Sequence, residues 1–295
     1  IFNIPIIIWR YNIDIAHFQY IAPLIKACRE IVTIHDVLFE DFPELYTLKY
    51  RILNTWLFKR SVKRCDLILT VSEYSKKRIS DHYNSSLSSI KITPNGVRMV
   101  PGVIEPEATL KRNYGLENYI LYVSRFEPRK NHLTLFKSFF GLDSSFSEYK
   151  LVLVGSKDLV VTELDEFVNS LSQSERERII HFENITNDEL NTLYNNCSLF
   201  VYPSKAEGFG IPPLEASLFE VPVLCSNSTA MSDFKFYGEN LFNPENTDEL
   251  RCKIINVLNT TEENLNVIKE KILKKYSWQH SATVLHDLLH TVMEK

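Results

Sequence analysis

The chain has 295 residues, of which 44% are hydrophobic and 24% charged, and its formal net charge is −4 at pH 7. These values are typical of soluble globular proteins, and the length suffices for two α/β domains. No apolar run approaches the ~20 residues that span a bilayer. The acidic balance, with basic residues concentrated on one predicted helix, argues against nucleic-acid binding.

The distribution of charge and cysteine narrows the class of protein further. The first 101 residues contain 14 Lys or Arg and 9 Asp or Glu, whereas the remaining residues contain 19 and 28. This asymmetry indicates two domains with different neighbours. The five cysteines are scattered and form no CxxC pair. They therefore argue against a zinc knuckle or a disulfide framework and favour a reducing cytoplasm. The opening residues lack the layout of a signal peptide.

The first predicted strands are two short apolar runs, at 14–18 and 31–34. The second run leads directly into His35 and Asp36. This polar pair would lie at the carboxyl end of a strand, where open α/β sheets place groups that bind ligands. A histidine there can equally cap the strand or bind a neighbouring carbonyl oxygen, whereas Asp36 is expected to orient the turn.

Residues 46–64 have the apolar spacing of a helix. The segment contains six basic residues and no acidic one: Lys49, Arg51, Lys59, Arg60, Lys63 and Arg64. These residues either form a solvated helix face or attract anionic lipid headgroups or a lipid-phosphate acceptor. In the second interpretation, Trp56 and Phe58 would help the helix to lie at the interface.

The first half is predicted to end with a strand, a helix and a change of domain. An apolar strand at 65–71 precedes a helix that Ser72 would cap. Residues 94–96, Pro-Asn-Gly, predict a turn. Residues 98–112 have mixed charge with proline and glycine, and fit a linker.

The second half opens with a strand at 119–126 that places Arg125 at its end, and Lys130 follows five residues later at a helix start. Two cations at a strand end and a helix N-terminus can bind an anion, Arg bidentately and Lys as a point charge. Both residue types are also common on protein surfaces, so the spacing alone leaves the two interpretations even.

Further strands are predicted at 151–154, 179–182 and 221–225, and Thr186 marks a strong helix start. The single Gly155 does not make a dinucleotide-binding fingerprint, which would need more glycines at the start of a helix. Helices are predicted near the end of the chain, at 246–258, 262–275 and 278–293.

The most informative stretch is 200–215, FVYPSKAEGFGIPPLE. It predicts a buried strand that ends at Pro203, a loop, and a helix whose first turn contains two prolines. Gly208 and Gly210 permit a loop path that residues with a Cβ would resist. Free N–H groups on such a loop and at the helix start can bind phosphate or sugar oxygens.

Two carboxylates accompany this loop, Glu207 on the loop and Glu215 in the predicted first helical turn. Either one alone is more simply a solvated acid or a group that complements the helix dipole. Together, eight positions apart, they favour a ligand with hydroxyl groups, because carboxylates accept hydrogen bonds from sugar and ribose hydroxyls.

The sequence EGFGIPPLE, with Arg125 and Lys130 at the matching spacing, resembles the signature of retaining GT-B glycosyltransferases of family 4, many of which are mannosyltransferases. The resemblance covers nearly the whole chain. It implies an α/β fold with two doubly wound Rossmann-like domains that face each other across a cleft, the N-terminal domain being incomplete. The implied segments are an acceptor-side domain, a linker, a nucleotide-sugar-binding domain and a crossover helix, at 1–97, 98–112, 113–276 and 277–295.

The resemblance also implies roles for individual residues. The catalytic groups would be His35 facing the donor sugar, Arg125 and Lys130 on the diphosphate, and Glu207 on the sugar hydroxyls. Donor binding would also involve Gly208, Phe209, Gly210, Ile211 and Glu215, the last on the ribose hydroxyls. Residues 232–234 and 237–240 depart from the family pattern, which leaves the sugar preference open.

The implied function is retaining transfer of mannose or a similar hexose in cell-surface polysaccharide synthesis, for example of lipopolysaccharide. The donor would be a nucleotide-diphosphate sugar and the acceptor a glycan or a lipid-linked molecule. The enzyme would be cytoplasmic, with peripheral contact between helix 46–64 and the inner face of an anionic membrane. Because no Asp-x-Asp triplet occurs, we expect no metal requirement and no cofactor besides the donor substrate.

Two alternatives stay open at this point. A glycoside hydrolase also uses two carboxylates, but it has no use for an Arg–Lys pair that binds diphosphate. A non-catalytic nucleotide-sugar-binding module or degenerate subunit would bind the donor without turnover.

Overall fold

The structure is a computed structural model that describes residues 3–99, 102–157, 159–260 and 264–293. Parts of five predicted segments lie outside these residues: the helix at 262–275 and the segments at 1–97, 98–112, 113–276 and 277–295. None of the helices within the described ranges is long and apolar enough to cross a membrane.

The strands all pair in parallel within two sheets. In chain order they are β1 Ile15–Gln19, β2 Arg29–Thr33, β3 Leu67–Thr70, β4 Ile90–Ile92, β5 Tyr119–Val123, β6 Lys150–Val154, β7 Ile179–Phe182, β8 Leu199–Tyr202, β9 Val223–Ser226 and β10 Leu241–Phe242.

The helices alternate with these strands through most of the chain, as parallel sheets require. They are α1 Asn3–Arg10, α2 Leu38–Asp41, α3 Leu48–Arg64, α4 Glu73–Tyr83, α5 Glu107–Tyr114, α6 His132–Phe140, α7 Thr162–Ser170, α8 Gln173–Arg176, α9 Asn187–Asn196, α10 Ile211–Leu218, α11 Thr247–Asn259, α12 Leu265–Lys275 and α13 Trp278–Met293. The predicted α/β class with parallel sheets is confirmed.

The chain divides into two compact units. The first contains residues 1–96, 207–209 and 275–295, and the second contains residues 97–206 and 210–274. The first unit therefore holds the sheet β1-β2-β3-β4, and the second holds the sheet β10-β9-β8-β5-β6-β7.

The sheet of the first unit is buried on both faces, which explains the continuous apolar runs of its strands. On one face, Val32 belongs to a core cluster with Phe58 of α3 and Ile79 of α4. On the other face, Ile31 belongs to a cluster with Val292 of α13. The C-terminal helix thus completes the core of the N-terminal sheet.

In the second unit, β5 lies between β6 and β8, and its residues Ile120 and Leu121 pair with Leu199 and Phe200 of β8. All four of these residues are fully buried. Because parallel strands end at the same edge of a sheet, the loops that follow β5 and β8 leave the sheet side by side. Those two loops carry most of the predicted site residues of this unit.

Helix α3 differs from the prediction in which side chains it exposes. Trp56 is 55% exposed, but Phe58 is 3% exposed and packs edge-on against Phe39. The expectation that Phe58 helps the helix to lie at an interface is therefore wrong, because its ring belongs to the core. Arg60 and Arg64 also point inward, since both donate hydrogen bonds to the carbonyl oxygen of Leu24.

Between the sheets, the predicted turn at 94–96 is wrong and the predicted linker contains a helix. The segment predicted as a linker contains α5, which buries Leu110 and ends at Gly115 in the left-handed conformation (φ 62°). Residues 94–96 form no turn. They run along α13 instead, since Ser281 Oγ donates a 2.6 Å hydrogen bond to the Pro94 carbonyl oxygen.

Candidate functional site

Arg125 lies two residues beyond the end of β5, and its side chain is 65% exposed. One Nη atom is 3.2 Å from a carboxylate oxygen of Glu127, on the same loop. Because Glu127 also accepts a hydrogen bond from Arg129 at 2.9 Å, it pairs with two guanidinium groups at once. Arg125 is thus positioned but exposed, as a group that binds a soluble anion must be.

Lys130 ends a short 3₁₀ turn on the same loop. Its Nζ atom is 3.3 Å from the hydroxyl oxygen of Tyr202 and 5.8 Å from the centre of the Tyr202 ring, at the end of β8. Its backbone is fixed as well, because the Tyr122 hydroxyl donates a 2.6 Å hydrogen bond to the Lys130 carbonyl oxygen. The ammonium group is therefore held beside the carboxyl ends of β5 and β8.

The loop after β5 is fastened to the loop after β8 by hydrogen bonds that the sequence did not reveal. Arg129 donates to the Ala206 carbonyl oxygen at 2.9 Å and accepts from the Lys205 N–H at 2.7 Å. The buried Asn131 side chain donates to the carbonyl oxygen of Pro203 at 3.0 Å. Asn131 also takes the left-handed conformation (φ 58°), which asparagine tolerates better than most residues. These hydrogen bonds hold the two residues that flank Lys130 in the sequence.

His132, predicted to be structural, is the first residue of α6 and only 2% exposed. Its ring stacks on Phe126 with centroids 4.2 Å apart and lies 4.7 Å from the Tyr122 ring. Burial, reinforced by the nearby charge of Lys130, lowers the pKa of His132 to about 3. A neutral ring at this position adds no positive charge beside Lys130.

The N-terminus of α10 offers few backbone donors. Gly210 precedes the helix with φ 99°, a conformation that favours glycine. A Cβ at Gly210 would also lie 3.3 Å from the side chains of Met231 and Phe234. Because Pro212 and Pro213 have no N–H, the donors at this helix end are those of Gly210 and Ile211.

Glu215 is the fifth residue of α10, so the prediction that it lies in the first helical turn is wrong. The helix begins at Ile211 because Gly210, rather than a proline, makes the turn into it. The Tyr194 hydroxyl donates to Glu215 Oε2 at 3.3 Å. Burial raises the pKa of the Glu215 carboxyl group, although the bond from Tyr194 opposes this effect. The carboxylate is thus partly buried and has one protein donor.

In the first unit, His35 follows β2 and is partly buried beside Tyr20, whose ring centroid is 5.2 Å away. Its Nε2 atom lies 2.7 Å from Gln19 Oε1 at the end of β1. Burial lowers the pKa of His35, and the neighbouring Asp36 opposes that change. Asp36 accepts a hydrogen bond from the Leu38 N–H at 3.1 Å, so its expected role in orienting the turn is confirmed.

The segment Glu207, Gly208 and Phe209 belongs to the first unit. The Gly208 carbonyl oxygen accepts hydrogen bonds from Ser72 at 2.9 Å and Ser75 at 3.3 Å, at the N-terminus of α4. Ser72 also caps α4 by accepting from the Ser75 N–H, so the predicted cap is confirmed. Glu207 is 8% exposed. The side chain of Ser72, predicted as a helix cap, thus also holds this loop.

The predicted site residues consequently fall into two groups. The second unit contains Arg125, Lys130, Gly210, Ile211 and Glu215, whereas the first contains His35, Glu207, Gly208 and Phe209. Within the second unit, the loop that carries Arg125 and Lys130 is hydrogen-bonded to the start of the loop that leads to α10. The roles assigned to these residues in donor binding and catalysis stay predictions.

Similarity to solved structures concerns the fold. Sucrose-phosphate synthase from Thermosynechococcus elongatus matches with a TM-score of 0.77 at 17% identity, over 99% of this chain and 76% of that one. HepE from Anabaena, solved in complex with UDP-glucose, matches with a TM-score of 0.71 at 18% identity, over 91% and 73%. The chain has the GT-B fold of these proteins.

Similarity to curated proteins is higher in sequence. The O-antigen chain mannosyltransferase RfbU of Salmonella typhimurium is 29% identical over 81% of this chain and 63% of its own length. The O-antigen chain mannosyltransferase B of Escherichia coli is 29% identical over 86% of this chain and 68% of its own. The chain thus spans less than two thirds of the length of RfbU, and 28% of the length of the serotype-specific mannosyltransferase WbdA of Escherichia coli.

Two family models divide the chain between them. "Glycosyltransferase Family 4" matches residues 1–99. "Glycosyl transferases group 1" matches residues 108–274, more than half of the chain, including Arg125, Lys130 and the 200–215 stretch. The chain belongs to the group 1 glycosyl transferase family.

Proposed function

We propose that this protein transfers mannose or a similar hexose from a nucleotide-diphosphate sugar to a glycan or lipid-linked acceptor, with retention of configuration, in the synthesis of a cell-surface polysaccharide. The observation that carries the proposal is the fixed loop after β5, which holds Lys130 beside Tyr202 and leaves Arg125 exposed. The names of the mannosyltransferase relatives support the choice of sugar and pathway.

The two cations suit the chemistry of the leaving group. When the bond to the anomeric carbon breaks, negative charge develops on the diphosphate. Arg125 and Lys130 would stabilise that charge electrostatically, which is usually the largest contribution to catalysis. The fixed backbone of Lys130 lowers the reorganisation that binding requires, and the N–H groups of Gly210 and Ile211 would add two neutral donors.

The carboxylates suit the uncharged parts of the donor. Glu215 would accept hydrogen bonds from the ribose hydroxyls, and Glu207 from the hydroxyls of the sugar. His35 would face that sugar as a neutral group, since burial lowers its pKa. The chain contains no Asp-x-Asp triplet, and we propose that the two cations replace a metal ion at the diphosphate.

The test is turnover of nucleotide-sugars by the full-length protein carrying Arg125→Ala or Lys130→Ala. We expect each change to lower kcat/KM more than tenfold, equivalent to more than ~1.4 kcal/mol of barrier. Lys137→Ala is the matched control, because Lys137 is an exposed lysine of α6, the helix that follows Lys130. Turnover within tenfold of the wild type in both variants would refute the assignment. Binding of nucleotide-sugar without turnover by the wild-type protein would instead favour a non-catalytic module.

We also propose that the protein is cytoplasmic and contacts an anionic membrane through α3. The apolar side chains of Leu48, Ile52 and Trp56 are 66%, 63% and 55% exposed. They occupy one side of the helix together with Lys49, Lys59 and Lys63, which are also exposed. An exposed face that combines apolar and basic residues is typical of helices that lie at an anionic interface.

Flotation with vesicles tests whether α3 contacts a membrane or is simply solvated. We expect the wild-type chain to float with vesicles that contain phosphatidylglycerol and to stay behind with phosphatidylcholine alone. Changing Lys59 and Lys63 together to Gln should abolish flotation, whereas changing Lys76 and Lys77 of α4 to Gln should not. Equal flotation of the two double variants would contradict the proposed contact.

A further inference from the structure

Two histidines lie one helical turn apart on the exposed side of α13. The Nε2 atoms of His286 and His290 are 3.1 Å apart, and their ring centroids are 4.5 Å apart. Both side chains are exposed, that of His286 to 69%. The proposed transfer reaction uses neither of them.

We infer that His286 and His290 form a chelating site for a late first-row divalent metal ion, such as Ni²⁺ or Cu²⁺. Bonds from imidazole nitrogen to such ions are about 2.0–2.1 Å long, so two of them can meet from nitrogens 3.1 Å apart at an angle of about 95–102°. This angle lies between the values of square-planar and tetrahedral coordination. From the hydrogen-bonded arrangement, both rings would turn so that their lone pairs point at one ion.

A neighbouring carboxylate supports this arrangement. Asp287 Oδ1 lies 3.4 Å from Nδ1 of His286. When Nδ1–H donates to a carboxylate, the lone pair of the same ring stays on Nε2, where a metal can take it. Without metal, the short Nε2 to Nε2 distance is that of a hydrogen bond between the two rings. A metal ion would replace the proton in that bond.

The helix holds both rings in place. Its opposite side carries Leu285, Leu288, Leu289 and Val292, which pack with the core of the first unit. Near its end, Arg29 donates a 2.8 Å hydrogen bond to the Met293 carbonyl oxygen. Because the backbone is fixed through the last turns, the spacing of His286 and His290 is already that of the bound state.

The ligand set determines which ions bind and how tightly. Imidazole favours nickel, copper and zinc over magnesium and calcium, and copper binds more tightly than nickel. Within the described residues, no group of three or more His, Cys, Asp or Glu side chains is placed to hold a metal. The site therefore offers two protein nitrogens, with water in the remaining positions. Binding is exchangeable and weakens in acid, because only unprotonated imidazole ligates metals.

Calorimetric titration of the untagged full-length chain with NiCl₂, at about pH 7.5, tests the site. We expect one bound ion, and at least tenfold weaker binding in His286→Asn and in His290→Asn. Asp287→Asn should weaken binding about tenfold, as is usual when a carboxylate behind a histidine ligand is removed. His280→Asn is the control, since His280 is an exposed histidine of the same helix and should leave binding unchanged.

Two results would overturn the inference. One is an affinity of either single variant within twofold of the wild type. The other is an equal loss of binding in His280→Asn, which would indicate non-specific association with histidines. Nucleotide-sugar turnover, measured on the same variants, should not change. Failure of this metal site and failure of the proposed transfer reaction are therefore distinguished by separate measurements.

Discussion

The hydroxyl group of Tyr194, on α9, donates a 3.3 Å hydrogen bond to Oε2 of Glu215, on α10. Burial raises the pKa of Glu215, so the carboxylate form is less stable in the folded chain than in water. The bond from Tyr194 recovers only part of that cost. A partly buried carboxylate with one protein donor retains acceptor capacity for a ligand.

We expect Glu215→Gln to stabilise the fold at pH 7 while it weakens donor binding. The folded pKa of Glu215 is raised above its unfolded value of 4.5, so this carboxyl group favours the folded state in acid and loses that contribution as pH rises. Gln should therefore raise the urea midpoint at pH 7 but not below about pH 4.5. Loss of hydrogen bonds to ribose should raise KM about 10- to 100-fold.

Equal urea midpoints of Glu215→Gln and wild type at neutral pH would contradict the burial argument. An unchanged KM would contradict the ribose role instead. Glu177→Gln, at an exposed glutamate of the same unit, is the control for both measurements, since it should change neither the midpoint nor KM.

Gly208 has no room for a side chain. A Cβ at this position would lie 2.7 Å from Cβ of Asp36, closer than carbon atoms approach without displacement. Gly208→Ala must therefore shift the loop and stretch the bonds that its carbonyl oxygen accepts from Ser72 and Ser75. We expect a loss of about 1–3 kcal/mol in unfolding free energy and a large fall in kcat/KM, measured by urea denaturation and by turnover.

Gly238→Ala is the comparison for Gly208→Ala, because the ideal Cβ of Gly238 meets no atom within 4 Å. It should cost the strain of a residue with a Cβ at φ 55° and ψ −121°, about 1–3 kcal/mol, and leave turnover intact. Equal losses of turnover in both glycine variants would show that the close approach of Gly208 to Asp36 does not cause the loss.

A buried ion pair lies at the start of β2 in the first sheet. Glu30 is fully buried on β2 and pairs with Arg64 at the end of α3. Removing the cation alone leaves a buried carboxylate without its partner, so Arg64→Met should cost about 3–5 kcal/mol. The double change Glu30→Leu with Arg64→Met should cost less than Arg64→Met alone. Chemical denaturation of the three chains measures the difference, and additive losses would exclude the pairing.

His132 should make the protein sensitive to mild acid. Its folded pKa of about 3 lies below the unfolded value of 6.5, so the unfolded chain binds the proton first as pH falls. Stability is therefore complete above pH 6.5 and is lost below it, at up to about 1.4 kcal/mol per pH unit from this group. His132→Phe should reduce the slope of unfolding free energy against pH between about 6 and 4 by one proton.

The control for His132→Phe is His280→Asn, at an exposed histidine. It should leave the slope unchanged. A slope in His132→Phe as steep as in the wild type would show that other groups account for the acid sensitivity.

Most helices and strands are predictable because the burial of their faces produces a pattern of apolar residues in the sequence. The runs predicted as strands at 31–34, at 119–126 and up to Tyr202 correspond to β2, β5 and β8, although β2 ends at Thr33 and β5 at Val123. Strands covered on both faces need continuous apolar side chains. Ser72 and Thr186 were recognisable as helix caps from their own positions. The α/β class and the positions of Arg125 and Lys130 beside a strand end followed from these local patterns.

What escaped prediction depends on partners far apart in the sequence. Arg129 bonds to Ala206, and Arg64 pairs with Glu30. Nothing in the local sequence of either arginine distinguishes it from a solvated surface residue. The prediction that Phe58 lies at an interface is wrong for a similar reason. The helical period alone does not show which side of α3 faces the sheet. Such contacts emerge only once the chain has folded.

The helix that covers Ile31 and Leu67 is synthesised long after the strands that carry them. The strands it covers leave the ribosome some 200 residues earlier, since β3 ends at Thr70 and α13 begins at Trp278. During translation, one face of the N-terminal sheet therefore stays open to water or to a chaperone, while residues 97–206 and 210–274 can fold first. Premature termination before Trp278 should accordingly yield chains that aggregate through this sheet.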